Sequence, residues 1–163
     1  MLFRSAWSSA EACQETVREF LPYADLVKLS DEECFFVTGK HSILDAADWL
    51  FEQGCKMVLY SMGKEGAMIL TPHFSSHVEN PEVRVKDTTG AGDAIIGAYL
   101  YCLAKNHITV SQLATCSPEQ VQEWLTFAVY YANYSITKSG AIASYPDYTT
   151  FVKWMQEKRK KAH

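Results

Sequence analysis

The sequence predicts an α/β protein built from packed layers of helices and strands. Short apolar runs typical of buried strands alternate along the chain with longer segments whose apolar residues recur at helical spacing. The 163 residues are 48% hydrophobic and 21% charged, which is enough apolar material for one substantial core. We therefore expect a single domain over residues 1–163, without internal repeats or linkers.

The first half of the chain is predicted to alternate helices with strands. A serine at position 8 or 9 suits a helix N-cap, and Gly39 and Gly54 suit the left-handed conformation that ends a helix. The expected elements are a helix from residue 8 or 9 to about 23, a strand over 26–29, helices over 31–39 and 43–53, a strand over 57–62, and, after a turn at 63–66, a hairpin strand over 67–70.

Helices are predicted to dominate the second half. The run at 83–86 alternates valine with a basic residue, as in a strand, and leads into a glycine-rich turn. Helices are then expected after Gly92, over about 118–137 and over 147–161. His73 and His77 lack the glutamate of a metalloprotease motif, and we expect both in a solvated loop.

Charge and cysteine content exclude several classes of protein. The net charge of −4 gives no basic face for nucleic acid, and the basic run at 158–161 is interpreted as the end of a terminal helix. The five cysteines form no Cys-x-x-Cys pair, so no zinc site is predicted and reduced core thiols are expected. The longest weakly polar run, 94–104, is too short to cross a membrane. We expect a cytoplasmic protein with no nucleic-acid or membrane partner.

The most informative stretch is residues 87–93, with the sequence DTTGAGD, which opens a helix. Glycines let the backbone approach a ligand, and the unpaired N–H groups and positive dipole of a helix's first turn attract a phosphate. The negative charge of Asp93 would compete with that phosphate for the N–H groups unless the carboxylate has a separate function. We predict that it is a general base, which accepts the proton of a hydroxyl that attacks a phosphoryl group. The alternative is an ordinary helix N-terminus, in which Asp93 only complements the dipole.

Two other phosphate-binding motifs do not fit the spacing. A Walker A loop requires Gly-Lys followed by serine or threonine, whereas Gly63-Lys64 continues to Glu65, so that class is excluded. A dinucleotide-binding turn requires a third glycine where Ile95 stands, and an acidic residue about 20 residues later, where 110–116 contains none. A nicotinamide-dependent dehydrogenase is therefore disfavoured.

The string DTTGAGD resembles the signature of the ribokinase (PfkB) family of ATP-dependent sugar and nucleoside kinases. Three further segments match the family in the same order along the chain. The segment at 24–39 is similar to the family's strand and helix that carry an Asn-x-x-Glu motif, with Ser30 at the asparagine position and Glu33 at the glutamate. The segment at 60–67 resembles the nucleotide-contacting turn, and 127–146 resembles the last ATP-side helix and its loop.

This resemblance implies the C-terminal portion of a ribokinase-like three-layer α/β/α fold. Arg4 and Trp7 look like the remnant of a stretch found in fructokinase-like members, so the chain is expected to begin in the middle of the family's fold. The half that holds most of the sugar-binding residues and the lid sheet would precede it. Met1 would then be either the start of a shortened protein or an internal methionine.

The resemblance also implies a site for ATP, Mg²⁺ and a small sugar. Asp93 would be the catalytic base, and Gly90 would form the turn. The N–H groups of Ala91, Gly92 and Asp93 would hold the transferred phosphoryl group. Glu33 would organise Mg²⁺ through water, because Mg²⁺ keeps much of its hydration shell beside a nucleotide.

Further residues are implied at the nucleotide and at a monovalent cation. The nucleotide-side residues are Ser30 near phosphate, Ser61 and Gly63 in the turn that touches phosphates and ribose, and Val129 as an apolar wall near adenine. Many family members carry a monovalent-cation site, for K⁺ in this case, beside the anion turn. Its oxygen donors here would be Asp87, Thr89, Ala141 and Ser144.

The sequence leaves two functions open. In the first, the chain is the ATP-side half of a fructokinase-like sugar kinase, which transfers the γ-phosphoryl group of ATP to a sugar hydroxyl. In the second, it is a non-catalytic nucleotide-binding module, or an oligomerising remnant whose exposed sheet edge pairs with another chain. We expect a homo-oligomer or a partner that supplies the N-terminal half, and no sugar phosphorylation by this chain alone.

Overall fold

The structure is a computed structural model that describes residues 7–161, apart from the side chain of residue 161, so that Met1 and Arg4 lie outside the described residues. The helices of this part are α1 (Ala10–Phe20), α2 (Asp31–Thr38), α3 (Ile43–Glu52), α4 (Ala91–Lys105), α5 (Pro118–Ser135) and α6 (Tyr148–Lys161). The strands are β1 (Leu26–Ser30), β2 (Met57–Ser61), β3 (Ala67–Leu70) and β4 (Ser75–Val78). Trp7, the other residue of the expected fructokinase-like remnant, is 37% exposed.

The strands form one mixed sheet in the order β1-β2-β3-β4. β1 and β2 are parallel, and α2 and α3 carry the chain from the end of one to the start of the other. β3 and β4 then follow as antiparallel neighbours. Because β1 and β2 run in the same direction, their last residues, Ser30 and Ser61, lie side by side at one edge of the sheet.

Helices cover both faces of this sheet. On one face, apolar residues of α4 and α5 pack against Met57, Leu59 and Ile69. On the other face, residues of α2 and α3 pack against Leu29 and Val58. The alternation of β2 residues between the two cores is the period-two pattern of a strand buried on both faces. The predicted three-layer α/β/α architecture is confirmed.

Local sequence signals set the helix boundaries. Ser9 is the N-cap of α1, where its side chain accepts a hydrogen bond from the backbone N–H three residues on, at 3.1 Å. The helix ends at Phe20 rather than Tyr23, because the chain tightens into a separate 3-10 turn that contains Pro22. Gly39 has a φ of 72° and ends α2 in the left-handed conformation, as predicted.

Two segments differ from the sequence prediction. His77 lies on β4 rather than in a loop, whereas His73 lies in the turn before that strand. The run at 83–86, predicted as strand-like, is not part of the sheet. Its alternating pattern lacks a neighbouring strand in the described part of the chain, and the Lys86 N–H donates instead to the Ile136 carbonyl at 2.8 Å.

Two findings concern the classes of protein that the composition disfavours. All five cysteines are free and buried, as expected of reduced core thiols. Burial raises the pKa of Cys55 to about 11 and that of Cys102 to about 12, which keeps both thiols protonated at neutral pH. Within residues 7–161, no helix combines the length and the apolar character needed to cross a membrane.

Candidate active site

The turn at the start of α4 has the geometry of an anion site. Gly90 is the N-cap residue, with a left-handed φ of 78°, and the helix begins at Ala91. The Ala91 N–H donates to the Thr88 carbonyl at 3.1 Å. The first turn of a helix has no internal partners for its N–H groups, so Gly92 and Asp93 offer their N–H groups to a ligand. A phosphoryl contact from Ala91, as implied by the resemblance, would require Ala91 to exchange its bond to Thr88.

Gly90 has no room for a side chain. A Cβ at this position would lie 2.8 Å from the Ala141 Cβ and 2.9 Å from the Tyr145 hydroxyl. That hydroxyl donates to the Gly90 carbonyl at 2.9 Å, and this bond ties the loop after α5 to the turn. The positive φ favours glycine for a second, independent reason. The loop at 141–145 therefore holds the turn in place.

Asp93 faces a different cavity from the one that Ala91 and Gly92 line. Its exposed carboxylate lines an aromatic cavity of about 280 Å³, together with Tyr131 and Tyr145. Ala91 and Gly92 line a separate and larger cleft. Burial raises the pKa of Tyr145, and the negative charge of Asp93 raises it further, because both disfavour the phenolate. Adjacent residues of the turn thus line two cavities, Gly92 the larger cleft and Asp93 the aromatic cavity.

The larger cleft has a volume of about 760 Å³ and lies between the ends of β1 and β2 and the first turn of α4. This volume falls within the roughly 300–1,000 Å³ that small-molecule and cofactor sites occupy. The sequence-predicted residues that line it are Ser30, Ser61, Gly63, Ala91, Gly92 and Val129. The structure therefore brings to one cleft residues that are up to 99 positions apart in the sequence, Ser30 and Val129.

Ser30 and Glu33 form a capping box at the start of α2. The Ser30 hydroxyl accepts the Glu33 N–H at 3.4 Å, and the Glu33 carboxylate accepts the Ser30 N–H at 2.9 Å. Lys28 Nζ lies 3.2 Å from the same carboxylate oxygen. Partial burial raises the pKa of Glu33, but the Ser30 N–H and the Lys28 ammonium outweigh burial and hold that pKa below its usual value. Glu33 is therefore a charged carboxylate at neutral pH.

A single carboxylate of this kind fits Mg²⁺ that is carried mainly by nucleotide and water. Mg²⁺ in nucleotide sites is bound through one or two carboxylates and the phosphates, not by a cage of protein ligands. Consistent with that, residues 7–161 contain no group of three or more His, Cys, Asp or Glu side chains that could hold a metal ion. Glu33 is held beside the cleft by its ion pair with the cleft-lining Lys28.

The nucleotide-side residues form the far walls of the cleft. Ser61 Oγ donates to a β1 carbonyl at 3.4 Å, and Gly63 adopts a left-handed φ of 53°. The Gly63 carbonyl accepts a hydrogen bond from Asn80 Nδ2 at 2.8 Å, and Asn80 Oδ1 accepts one from Asn133 Nδ2, also at 2.8 Å. Val129 is only 1% exposed and contributes an apolar wall.

The residues implied for a monovalent cation already bond to one another and to the backbone. Asp87 Oδ1 accepts the Thr89 N–H at 2.9 Å, and Asp87 Oδ2 accepts the Gly140 N–H at 2.8 Å. The Ala141 carbonyl accepts two bonds from Ser144, one from its N–H at 3.0 Å and one from its hydroxyl at 2.6 Å. Each Asp87 oxygen keeps acceptor capacity beyond its one bond, whereas the Ala141 carbonyl already accepts two. Their role as cation ligands stays a prediction.

Four residues of the site were not predicted from the sequence: Lys28, Asn80, Asn133 and Tyr145. Lys28 could have been found from the alternation along β1, since Val27 and Leu29 pack against α2 and α3 and turn Lys28 to the opposite face. Asn133 and Tyr145 carry no local signal, because their partners lie 53 and 55 residues away along the chain.

The fold and the turn together define a layered α/β protein with a candidate phosphate site. The chain belongs to the pfkB family of carbohydrate kinases, whose family model matches residues 1–148. Probable fructokinase-2 of Arabidopsis thaliana is 34% identical over 141 residues, which cover 86% of this chain and 41% of the relative. Fructokinase-2 of Solanum lycopersicum is 32% identical over 141 residues, which cover 86% and 42%. The chain therefore spans about two fifths of the length of these curated relatives.

Solved structures confirm the predicted ribokinase-like fold. A fructokinase from Vibrio cholerae O395, in fructose, ADP and potassium ion bound form, matches with a TM-score of 0.78 and 29% identity, covering 91% of this chain and 46% of that one. Aminoimidazole riboside kinase from Salmonella enterica, complexed with aminoimidazole riboside and an ATP analogue, matches with a TM-score of 0.74 and 26% identity over 91% and 48% of the two chains. Fructokinase with bound ATP from Xylella fastidiosa, at a TM-score of 0.85 and 24% identity, shares the fold over 94% and 49% of the chains.

Proposed function

We propose that this chain supplies the nucleotide site and the catalytic base of a fructokinase-like carbohydrate kinase, which transfers the γ-phosphoryl group of ATP to a sugar hydroxyl. One observation carries the proposal. The turn at 90–93 borders two cavities: Ala91 and Gly92 line a cleft of about 760 Å³, and the adjacent residue Asp93 lines the aromatic cavity. Phosphoryl transfer requires both a stabilised phosphoryl group and a base for the attacking hydroxyl, placed next to each other.

On the nucleotide side, ATP occupies the larger cleft. The N–H groups of Gly92 and Asp93 hold the transferred phosphoryl group at the positive end of the α4 dipole, and Val129 packs near adenine. Glu33 would hold Mg²⁺ through water, and the ion would supply positive charge beside the phosphates. The nucleotide-bound fructokinases and riboside kinase that share this fold support the assignment.

On the acceptor side, Asp93 accepts the proton of the sugar hydroxyl as its oxygen attacks the γ-phosphorus. Its exposed carboxylate can reach a hydroxyl that enters from the aromatic cavity. The names of the relatives, and the fructose bound to the Vibrio enzyme, favour fructose as the sugar. Free, buried cysteines are compatible with the reducing cytoplasm as the compartment.

Binding of nucleotide is tested by thermal unfolding of the 163-residue chain with and without Mg-ATP. A ligand that binds only the folded state, at about 100 times its Kd, stabilises by about 2.7 kcal/mol and raises the Tm. Gly92→Asp places a negative charge among the N–H donors and should abolish the shift. Gly97→Ala lies in open space on the same helix and should keep it. A folded chain whose Tm does not respond to saturating Mg-ATP contradicts the proposal.

The second function, a non-catalytic module that associates with another chain, is favoured by one observation. In the described part of the chain, β1 pairs on one side only, and beside it an open groove of about 510 Å³ is lined by Phe20, Leu26 and Val27. Sedimentation at micromolar concentration should detect association that Phe20→Glu weakens and Val110→Glu, at another exposed apolar residue, does not. If the unsubstituted chain sediments as a monomer, homo-association through this edge is eliminated.

A further inference from the structure

Lys28 brings a positive charge to the first turn of α4. Val27 and Leu29 pack in the core beneath α2 and α3, so alternation along β1 turns Lys28 toward α4. Its Nζ lies 3.0 Å from the point where a Cβ on Gly92 would stand. The side chain is 19% exposed and lines the larger cleft. A Cβ at position 92 would therefore come into tight contact with the ammonium.

A cation at this position is stabilised by neighbouring anions, and the structure of residues 7–161 gives Lys28 one, the Glu33 carboxylate. The start of a helix carries the positive end of the dipole, which repels an ammonium and attracts a phosphate. An ammonium has three donors, and within residues 7–161 the structure gives Lys28 one acceptor, the Glu33 carboxylate at 3.2 Å. Lys28 therefore retains donor capacity next to the N–H group of Gly92.

We propose that Lys28 binds the terminal phosphate of the nucleotide, together with the N–H groups of Gly92 and Asp93. This inference rests on the proposed function and extends it, because it names a side chain that contacts the transferred phosphoryl group. A charged ammonium and the helix N-terminus then bind the same oxygens from adjacent directions. Glu33 acts on the opposite side of the ammonium and holds Lys28 in place.

The role of Ser30 changes as a consequence. Its hydroxyl is the N-cap of α2 and accepts the Glu33 N–H, so the capping box sets the orientation of this short side chain. The contact that an asparagine side chain could make with phosphate at this position is supplied instead by Lys28, two residues earlier on the same strand.

Inorganic tripolyphosphate, titrated into the full 163-residue chain in Mg²⁺-free buffer, isolates the phosphate contact from adenine binding. Lys28→Met should weaken tripolyphosphate binding about 10- to 100-fold, the range for one hydrogen bond to a charged group. Lys28→Arg should restore most of the loss. Lys56→Met is the matched control, because Lys56 pairs with Asp25 at 2.7 Å at the opposite end of the two parallel strands, and it should bind as the unsubstituted chain does.

Glu33→Gln separates phosphate binding from a purely structural ion pair. If Lys28 contacts phosphate, removal of the competing carboxylate leaves tripolyphosphate affinity unchanged or higher in Mg²⁺-free buffer. If Lys28 only holds α2 in place, Glu33→Gln should weaken tripolyphosphate binding as much as Lys28→Met does. That result would overturn the proposed contact between Lys28 and phosphate. The double variant Lys28→Met with Glu33→Gln removes both charges of the pair. If this variant folds and still binds tripolyphosphate weakly, the loss comes from the missing ammonium and not from an unpaired Glu33 carboxylate.

Two outcomes distinguish this inference from the proposed function. If the unsubstituted chain binds Mg-ATP and tripolyphosphate, and Lys28→Met binds both equally well, the role of Lys28 is wrong and the nucleotide site stands. If the folded, unsubstituted chain binds neither ligand, the proposed function fails and the role of Lys28 fails with it.

Discussion

Asn133 Nδ2 donates to Asn80 Oδ1 at 2.8 Å, and this single bond joins α5 to the segment that follows β4. Asn80 continues the connection, because its Nδ2 donates to the Gly63 carbonyl at 2.8 Å. Asn133 is buried and also donates to the Val129 carbonyl. Two amide side chains thus connect three segments that line the larger cleft.

Asn80→Ala should weaken nucleotide binding in the cleft with only a small loss in the free energy of unfolding. Loss of these bonds should lower the free energy of unfolding by about 1 kcal/mol and weaken Mg-ATP binding about 2- to 10-fold. Asn106→Ala removes a similar amide bond, to the Cys102 carbonyl at 2.8 Å, at the far end of α4. The control should lose stability without losing nucleotide affinity. Equal nucleotide affinity in both variants would mean that the amide pair does not shape the site.

Alanine substitutions at two glycines, Gly90 in the turn and Gly97 in α4, should change the free energy of unfolding in opposite directions. Gly90→Ala requires a left-handed alanine and places its Cβ 2.8 Å from the Ala141 Cβ, so it should destabilise by about 1–3 kcal/mol. Gly97→Ala lies within α4 with no heavy atom within 4 Å of the new Cβ, and it should stabilise by about 0.5–1 kcal/mol. Urea unfolding measures both. Stabilisation by Gly90→Ala would show that the turn is not held as described.

The carboxylate of Asp87 should make stability depend on pH on the acid side. Hydrogen bonds from the Gly140 N–H and from Thr89 lower the pKa of Asp87 from 3.8 to about 2. Because the folded-state pKa is below the unfolded one, this contribution is fully present above about pH 4 and is lost as the pH falls toward 2. Asp87→Asn should therefore be less stable than the unsubstituted chain at pH 6, by a difference that shrinks toward pH 2.

Chemical unfolding across this pH range measures that difference. Asp48→Asn, at an exposed carboxylate of α3, is the control substitution. A gap between Asp87→Asn and the unsubstituted chain that stays constant from pH 6 to pH 2 would mean that the two backbone bonds to Asp87 do not hold the loop in solution.

The fold was more predictable from the sequence than the site was. Period-two and helical patterns located β1, β2, β3 and the main helices, because core burial imposes those periods on the residues themselves. The strand β4 was missed, since its sequence Ser-Ser-His-Val has one apolar residue and its identity as a strand comes from pairing with β3. The run at 83–86 shows the converse case: a strand-like pattern without a neighbouring strand in the described residues.

Within the site, the backbone features were predictable and the side-chain contacts were not. Gly90 could be predicted as a turn because a positive φ leaves few alternatives to glycine. Lys28 was not distinguished from an ordinary surface lysine, since its proximity to Gly92 depends on how α4 packs on β1, 64 residues away in the sequence. Contacts of this kind are set by tertiary packing and leave no trace in local spacing.

Asp93→Asn separates the two roles proposed for the turn. Asparagine keeps the shape of the side chain and the backbone N–H groups, so the 163-residue chain should bind Mg-ATP as before. It cannot accept a proton, so sugar phosphorylation should fall about 10²- to 10⁴-fold in a kinase that joins this chain to the sugar-binding half of the family fold.

The two measurements must be made on different proteins, because nucleotide binding belongs to this chain and turnover to the joined kinase. Tyr145→Phe in the joined kinase is the comparison variant: it removes the hydroxyl bond to the Gly90 carbonyl but leaves the carboxylate, so its turnover should fall far less than that of Asp93→Asn. If Asp93→Asn retains normal turnover while chemistry is rate-limiting, Asp93 is not the base. The turn would then act only on the nucleotide side, through its N–H groups.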